Sequence, residues 1–135
     1  MSRFQFVAVA LALSAAACGS DTPTTPTVTS PVTVTDTFAG ALTRSGAVSY
    51  TFITASSGSI VARLSTLAPD SALVVGLSLG TWNGLSCQVV LANDKATQAS
   101  TVLGTATGSG SLCVRIYDVG NVVDPTTYEI QVNHP

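Results

Sequence analysis

The sequence predicts an all-β protein, an antiparallel β-sandwich of about eight strands that follows a signal peptide and a Thr/Pro-rich linker. Three observations lead to this fold class. From residue 33 onward, apolar and polar residues alternate in short runs, which is the pattern of half-buried strands. Gly, Asn, Asp and Pro separate these runs at roughly regular intervals, as in sandwiches and barrels. Charged residues make up only 9% of the chain, and the abundance of Ser and Thr favours strands and turns over helices.

The first 17 residues have the organisation of a secretory signal peptide. Arg3 supplies a positive charge, residues 6–13 (FVAVALAL) form an uninterrupted apolar run, and small residues follow it. The run is too short to span a bilayer as a permanent helix. These flanks are typical of a cleaved export signal rather than of a buried N-terminal helix. We therefore expect residues 1–17 to be removed on export.

Cys18 follows the small residues directly. A small–small–Cys sequence after an apolar run resembles the bacterial lipobox, whose Cys becomes the new N-terminus and is acylated, although Ala15 stands where that pattern usually has Leu. Ala15–Ala17 also satisfies ordinary signal-peptidase cleavage, which would give a secreted or periplasmic protein. We expect a lipoprotein, because an unpaired Cys at a mature N-terminus has no other evident role. By resemblance to lipoprotein sorting, Gly19 in place of Asp indicates an outer-membrane anchor in a bacterial cell envelope.

The segment after Cys18 has the composition of a tether. Residues 21–31 read DTPTTPTVTSP, in which Pro favours extended backbone and Thr and Ser offer no core to bury. Simple disorder after a signal peptide is the alternative interpretation. The predicted organisation is a signal peptide at 1–17, a lipid-anchored tether at 18–32 and a β-sandwich domain at 33–135.

Eight strands and their buried faces follow from the alternation. The predicted strands cover residues 32–38, 48–53, 60–65, 73–80, 87–91, 100–105, 112–117 and 128–133. The residues expected in the core are Val48, Tyr50, Phe52, Ile60, Ala62, Leu64, Leu73, Val75, Leu77, Leu79, Leu112, Val114, Ile116, Tyr128, Ile130 and Val132. The last two runs, separated by Gly-Asn and Asp-Pro turn residues, are expected to pair as a β-hairpin.

The pair Asn83-Gly84 is a strong signal for a two-residue hairpin turn. Such a turn would place Val89 and Leu91 on the face opposite residues 73–79, since a slip of one residue reverses every side chain. We therefore expect a bulge or a wider loop around residues 80–86 in place of a tight hairpin.

Two segments near the end of the sequence carry a family resemblance. They are GSLCVRIYDVG at residues 110–120 and TYEIQV at residues 127–132. Together with the order of the preceding runs, they resemble the last strands of the bacterial pre-peptidase C-terminal domain family over roughly Thr37–Val132. The resemblance implies a jelly-roll-like β-sandwich. It also implies a non-catalytic accessory module of the kind found in secreted proteases and other exported proteins.

Two cysteines remain if Cys18 carries a lipid. Cys87 and Cys113 would lie in a compartment that permits disulfides, and a bond between them would stabilise the fold on the order of 3 kcal/mol. Cys113 lies on the polar side of its strand, so the bond is expected to cross a sheet surface rather than the centre of the core. Two free thiols are the alternative. Two thiols without a nearby His do not make a metal site.

The inventory of ionisable residues does not favour an enzyme. His134 is the only His, Glu129 the only Glu and Lys95 the only Lys. A Ser-His-Asp arrangement would need a rigid His134, and so near the end of the sequence we expect a solvated side chain. We predict no catalytic residues and no cofactor. The net charge of −2 without a basic run also predicts no nucleic-acid partner.

Candidate binding residues cluster at predicted loops and on one outer face. Trp82 and Asn83 at a loop tip, with Tyr117 on an outer strand face, are candidate ligand contacts, and an exposed Trp ring could stack on a sugar. A Trp that caps the core is the alternative. Partners expected on these grounds are a membrane, through the N-terminal lipid, and a polysaccharide or an envelope protein.

One predicted loop contains acidic and amide side chains that could form a calcium-binding site. Asp118, Asn121 and Asp124 offer oxygen ligands. Their spacing matches no calcium loop, and Asp and Asn occupy turns for backbone reasons alone. We therefore expect turn residues and no metal.

Overall fold

A computed structural model describes residues 19, 22–27, 30 and 32–135. The expected signal peptide and Cys18 lie outside the described residues. The strands are β1 (Val34–Leu42), β2 (Ala47–Thr54), β3 (Gly58–Ala68), β4 (Val75–Trp82), β5 (Cys87–Ala96), β6 (Thr101–Ala106), β7 (Gly110–Tyr117) and β8 (Thr126–His134). In this part of the chain there is no helix of the length and hydrophobicity that a membrane crossing needs.

The strands form two four-stranded antiparallel sheets. One sheet, called the β8 sheet here, has the order β1-β8-β3-β6, and the other, the β7 sheet, has the order β2-β7-β4-β5. Apolar residues from the two inner faces form one core between the sheets. The predicted all-β sandwich of eight strands is confirmed. Among the described residues, the eight strands and the core residues lie between residues 34 and 134, so residues 32–135 contain both four-stranded sheets and the core between them.

The predicted hairpin of the last two strands is wrong. β7 pairs with β2 and β4, whereas β8 pairs with β1 and β3, so the two strands belong to different sheets. Alternation reports that each strand buries one face, but not which strand lies beside it. Residues 118–125 carry the chain from one sheet to the other, and the two apolar faces then meet across the core.

The expected core is confirmed and proves larger. Every predicted core residue is either buried or, for Val48, Tyr50, Leu73 and Leu112, half-buried against the core. The core also includes residues outside the predicted set: Leu42, Leu67, Ala96, Val102, Ala106 and Val122. Most of these lie near strand ends or in a connection, where alternation over a few residues gives a weak signal.

The connection between β4 and β5 agrees with the expected departure from a tight hairpin. Trp82 pairs with Cys87, so residues 83–86 form a four-residue loop, and the register shifts between Leu79 and Gly80. Leu79 pairs with Leu91 and Gly80 pairs with Val89, which leaves Val90 as the extra residue of a bulge.

Aromatic side chains close one side of the sandwich, where β1 lies over β2. The Phe38 and Tyr50 rings stack at 4.8 Å, and Tyr50 meets Tyr128 edge-on at 6.3 Å. The two tyrosine hydroxyls are 2.6 Å apart. Burial, followed by the hydrogen bond with Tyr50, raises the pKa of Tyr128 well above its ordinary value. Rings that span the gap between the sheets exclude water from this side of the core.

His134 is buried, which contradicts the expected solvated side chain. Only 3% of its surface is exposed. Nε2 lies 3.0 Å from Oδ2 of Asp36 on β1, Nδ1 lies 3.2 Å from the main-chain oxygen of Pro135, and the ring centroid is 5.0 Å from that of Phe52. The expectation failed because β8 extends to His134 and pairs there with Val34 of β1, so its last side chains alternate into the core.

Candidate functional site

The side of the sandwich opposite the aromatic cluster contains a cleft. There β5 and β6 are the edge strands of their sheets, and a cavity of about 390 Å³ lies between them. This volume is within the range of small-molecule sites. We call this cavity, with the second one described below, the β5/β6 cleft.

The cleft has an apolar interior and a rim of hydroxyl groups. The apolar side chains that line it are Phe52, Ile60, Leu79, Val90, Leu91, Ala106 and Leu112. The hydroxyl side chains of the rim are those of the exposed residues Thr81, Thr105, Thr107, Ser109 and Ser111, and a sixth lining residue, Thr54, is buried. Glycines supply the remaining lining, and no ionisable side chain takes part.

A second cavity continues the cleft over the edge of the β8 sheet. It has a volume of about 590 Å³ and shares Ile60, Val90, Leu91, Gly104 and Thr105 with the first. It adds Ser59, Val61 and Leu103, and it too lacks ionisable side chains. The two cavities therefore meet along the seam between β5 and β6.

Large apolar side chains are exposed at this seam. Val90 is 69% exposed, Leu103 66% and Leu91 41%. They lie on both edge strands and contribute to the same cleft. An exposed apolar cluster beside a concave site marks a binding surface better than single exposed residues do.

Both walls of the cleft are fixed by specific bonds. On one wall, the Thr54 hydroxyl donates to the main-chain oxygen of Gly108 at 2.9 Å and lies 3.4 Å from that of Gly110, which secures the turn between β6 and β7. On the other wall, the expected disulfide joins Cys87 of β5 to Cys113 of β7. These bonds restrain the β6–β7 turn and the start of β5, two of the segments that form the cleft.

A row of small residues on β4 lets the disulfide cross the outer face of the β7 sheet. Gly76, Ser78 and Gly80 pair with Tyr117, Arg115 and Cys113 in turn. A Cβ on Gly80 would overlap the main chain of Gln88, and one on Gly76 would overlap the Tyr117 ring. Only glycine allows these close approaches. The disulfide therefore lies outside the core cluster, as the sequence predicted.

Tyr117 makes its contacts within this same outer face. Its hydroxyl donates to Oδ1 of Asp94, and the Arg115 guanidinium lies 5.1 Å from its ring centroid. Burial, followed by the hydrogen bond to Asp94, raises the pKa of Tyr117 to about 12. A role in ligand contact stays a prediction for Tyr117.

Trp82 and Asn83 lie at the β4–β5 loop and are not part of the cleft lining. Trp82 is half-buried and lines neither cavity. Asn83 Oδ1 accepts hydrogen bonds from the main-chain nitrogens of Leu85 and Ser86, at 2.9 and 2.8 Å, so its side chain closes its own loop. Their role as ligand contacts stays a prediction, and the structure does not bring them to the cleft.

Asp118 organises the loop between β7 and β8. Its Oδ1 accepts from the main-chain nitrogens of Gly120, Asn121 and Val122, and its Oδ2 accepts from that of Ser45. These bonds, above all those from Val122 and Ser45, lower the pKa of Asp118 to about 2. Asp118 is therefore a turn residue, as the sequence indicates.

Asn121 of the same loop also has a partner within the fold. Asn121 donates from its Nδ2 to the main-chain oxygen of Val74 at 3.0 Å. No group of three or more His, Cys, Asp or Glu side chains within the described ranges is arranged to hold a metal ion.

Sequence reasoning missed the cleft. Val90, Leu91 and Leu103 were assigned to strands, but nothing local indicates that β5 and β6, consecutive in sequence, become the facing edges of two different sheets. One feature of the sequence could have indicated the cleft. Apolar residues stand at positions of β5 and β6 that the alternation does not assign to the core, and an uncharged segment rich in Ser, Thr and Gly follows at 104–111. None of the protein-family models or curated proteins compared with the chain matches it.

Proposed function

We propose that this chain is a lipid-anchored module of the bacterial cell envelope that binds another molecule and carries out no catalysis. The observation that carries the binding role is the β5/β6 cleft, a cavity with an apolar interior, a hydroxyl rim and exposed apolar side chains at its mouth. Cavities with this combination are the usual location of ligand sites.

The environment of the acidic and basic side chains supports a non-catalytic role. Both ring nitrogens of His134 have partners inside the fold, Asp36 and Pro135. The Glu129 carboxylate accepts hydrogen bonds from Ser65 at 2.9 Å and from Gln131 at 3.3 Å. His134 is also almost completely buried, with 3% of its surface exposed, so a substrate has little access to its ring.

The export signals support an envelope location. A charged start, an apolar run and small residues precede Cys18, and a Thr/Pro segment follows it. Residues 22–27 of that segment are exposed, as a tether requires. We also infer, from the strand order and the motifs at 110–120 and 127–132, a relationship to the pre-peptidase C-terminal domains, which would make this chain an accessory module on its own tether.

The anchor is tested by labelling bacteria that express the full chain with an alkyne analogue of palmitate. We expect label on the wild-type protein and none on Cys18→Ser, with the wild type recovered in the outer-membrane fraction. An unlabelled wild-type protein in the periplasm or medium would overturn the lipoprotein assignment and favour ordinary secretion.

The alternative function, a carbohydrate-binding module that uses Trp82, is tested by retention on insoluble polysaccharides and peptidoglycan, with Trp82→Ala beside the wild type. The carbohydrate alternative predicts retention that a folded Trp82→Ala variant loses. We expect no Trp82-dependent retention, because Trp82 lines neither cavity. Retention lost in that variant would replace the cleft with the β4–β5 loop as the binding site.

A further inference from the structure

We propose that the β5/β6 cleft binds an uncharged single-chain amphiphile, with its hydrocarbon chain along the seam between the sheets and its neutral polar end at the Ser/Thr rim. This inference rests on the binding role proposed above and names its ligand class. It does not depend on the lipid anchor.

The absence of charge from the cleft selects an uncharged ligand. Neither cavity is lined by an ionisable side chain. An ionised carboxylate, phosphate or ammonium moved from water into this site would find no opposite charge and would lose its hydration. A neutral molecule avoids this cost, so the cleft discriminates by charge as well as by shape.

The shape of the cleft suits an elongated apolar group. Two cavities of about 390 and 590 Å³ meet at shared residues, so the available space runs along the seam and over the edge of β6. Val90 and Leu103 stand at the mouth with two-thirds of their surfaces exposed, at 69% and 66%. A hydrocarbon chain along this path would remove both from water.

The rim selects a polar end that exchanges hydrogen bonds without charge. Thr105, Thr107, Ser109 and Ser111 are exposed residues of the cleft lining, and a hydroxyl group both donates and accepts. The Thr54 hydroxyl already donates a hydrogen bond to the main-chain oxygen of Gly108 at 2.9 Å, in the turn between β6 and β7. A ligand that ends in an alcohol, ester or amide matches this rim, because it can form hydrogen bonds with the hydroxyl groups. An apolar end would form no hydrogen bonds with the hydroxyl groups of the rim.

The probe for this proposal is N-phenyl-1-naphthylamine, an uncharged apolar dye whose fluorescence rises in apolar surroundings. The protein is the oxidised fragment 32–135, which contains all strands, the disulfide and the core. We expect a saturable rise in fluorescence at one dye per chain. The dye is then displaced with 1-dodecanol, dodecanoate or dodecyltrimethylammonium, which share one chain length and differ in charge.

We expect 1-dodecanol to displace the dye at a concentration at least about tenfold lower than either ion, since desolvation of a charge opposes entry.

Val90→Asp places a carboxylate at the mouth and should weaken dye binding at least about tenfold by the same argument. Val123→Asp is the matched control, because Val123 is 67% exposed in the β7–β8 loop and lines neither cavity. It should bind the dye as the wild type does.

Three results would overturn the proposal. They are no saturable binding of the dye, displacement by dodecanoate as effective as that by dodecanol, and equal loss of binding in Val123→Asp and Val90→Asp. Circular dichroism checks that each variant is folded. If Val90→Asp is not, Leu103→Asp takes its place at the same mouth. Failure here leaves the Cys18 labelling result untouched, so the two proposals are tested separately.

Discussion

Cys87 is bonded to Cys113 across the outer face of β4, and their Cα atoms are 5.7 Å apart. The bond ties the edge strand β5 to β7, an interior strand of the same sheet. Gly80 lies beneath this crossing and pairs with Cys113. Because Val90 and Leu91 follow Cys87 closely on β5, the disulfide also fixes one wall of the cleft.

Reduction of the disulfide should lower the free energy of unfolding on the order of 3 kcal/mol, because the open chain regains the entropy of a closed loop. Urea unfolding of fragment 32–135 with and without dithiothreitol measures this difference. The Cys87→Ala/Cys113→Ala double variant is the control and should not respond to the reductant. A wild-type midpoint that is the same under both conditions would contradict the structural role of the bond.

Asp118→Ala should destabilise the protein at neutral pH, because four main-chain nitrogens lose their acceptor. The pKa of Asp118 is lowered from 3.8 to about 2 in the folded state. Its contribution to stability is therefore present above pH 3.8 and is lost as the pH falls toward 2. The difference in melting temperature between wild type and variant should narrow across this range.

Asp124→Ala is the control for Asp118. It lies in the same loop, and among the described residues its carboxylate takes part in no hydrogen bond, although its main-chain oxygen accepts one from Thr126 at 3.2 Å. We expect little change in its melting temperature at any pH. A difference that stays constant from neutral pH to pH 2 in Asp118→Ala would contradict the assigned role of the carboxylate.

Tyr117→Phe should lower the free energy of unfolding at neutral pH, and the difference from the wild type should be smaller at alkaline pH. Burial and the bond to Asp94 raise the pKa of Tyr117 from 10.0 to about 12 in the folded state. The stabilisation by the neutral hydroxyl is fully present below pH 10 and is lost as the pH rises toward 12. Guanidinium unfolding of wild type and variant at a series of pH values measures the difference. A difference that grows above pH 10 would contradict this account.

His134 and Asp36 should show energetic coupling. Each single change, His134→Ala or Asp36→Ala, removes one partner of the contact at 3.0 Å and should cost about 1–3 kcal/mol. The double variant should cost less than the sum of the two, by at least about 0.5 kcal/mol. Asp36→Asn keeps an acceptor oxygen and should cost less than Asp36→Ala. Additive effects of the single changes would show that the two groups do not stabilise each other.

The alternation of the sequence was enough to predict that eight strands exist, because most of them bury one face against the other sheet. β5 is an exception, since Ala96 is its one buried residue. The departure from a tight turn at Asn83-Gly84 was also predictable, since a two-residue turn would put Leu91 on the face opposite Leu79, whereas the two residues pair in the structure. Strand neighbours were not predictable. Residues 112–117 and 128–133 read as a hairpin because they are consecutive and alternate, yet they lie in different sheets.

The cleft depends on which strands lie beside each other, and the alternation of apolar and polar residues does not determine this order. Val90 and Leu103 face one site only because β5 and β6 end up as edge strands over one another. His134 is a similar case, since its burial follows from the length of β8 and the position of Asp36 on β1, which are remote in sequence. In both cases the outcome depends on the order of strands that are remote in sequence, which a local sequence pattern does not contain.

The central claim is that the β5/β6 cleft binds a neutral amphiphile, and an amide NMR titration of ¹⁵N-labelled fragment 32–135 with 1-dodecanol tests it most directly. We predict saturable shifts concentrated at Val90, Leu91, Gly104 and Thr105, with the amides of residues 82–86 unchanged. Shifts confined to residues 82–86, or no saturable shifts at all, would contradict the claim.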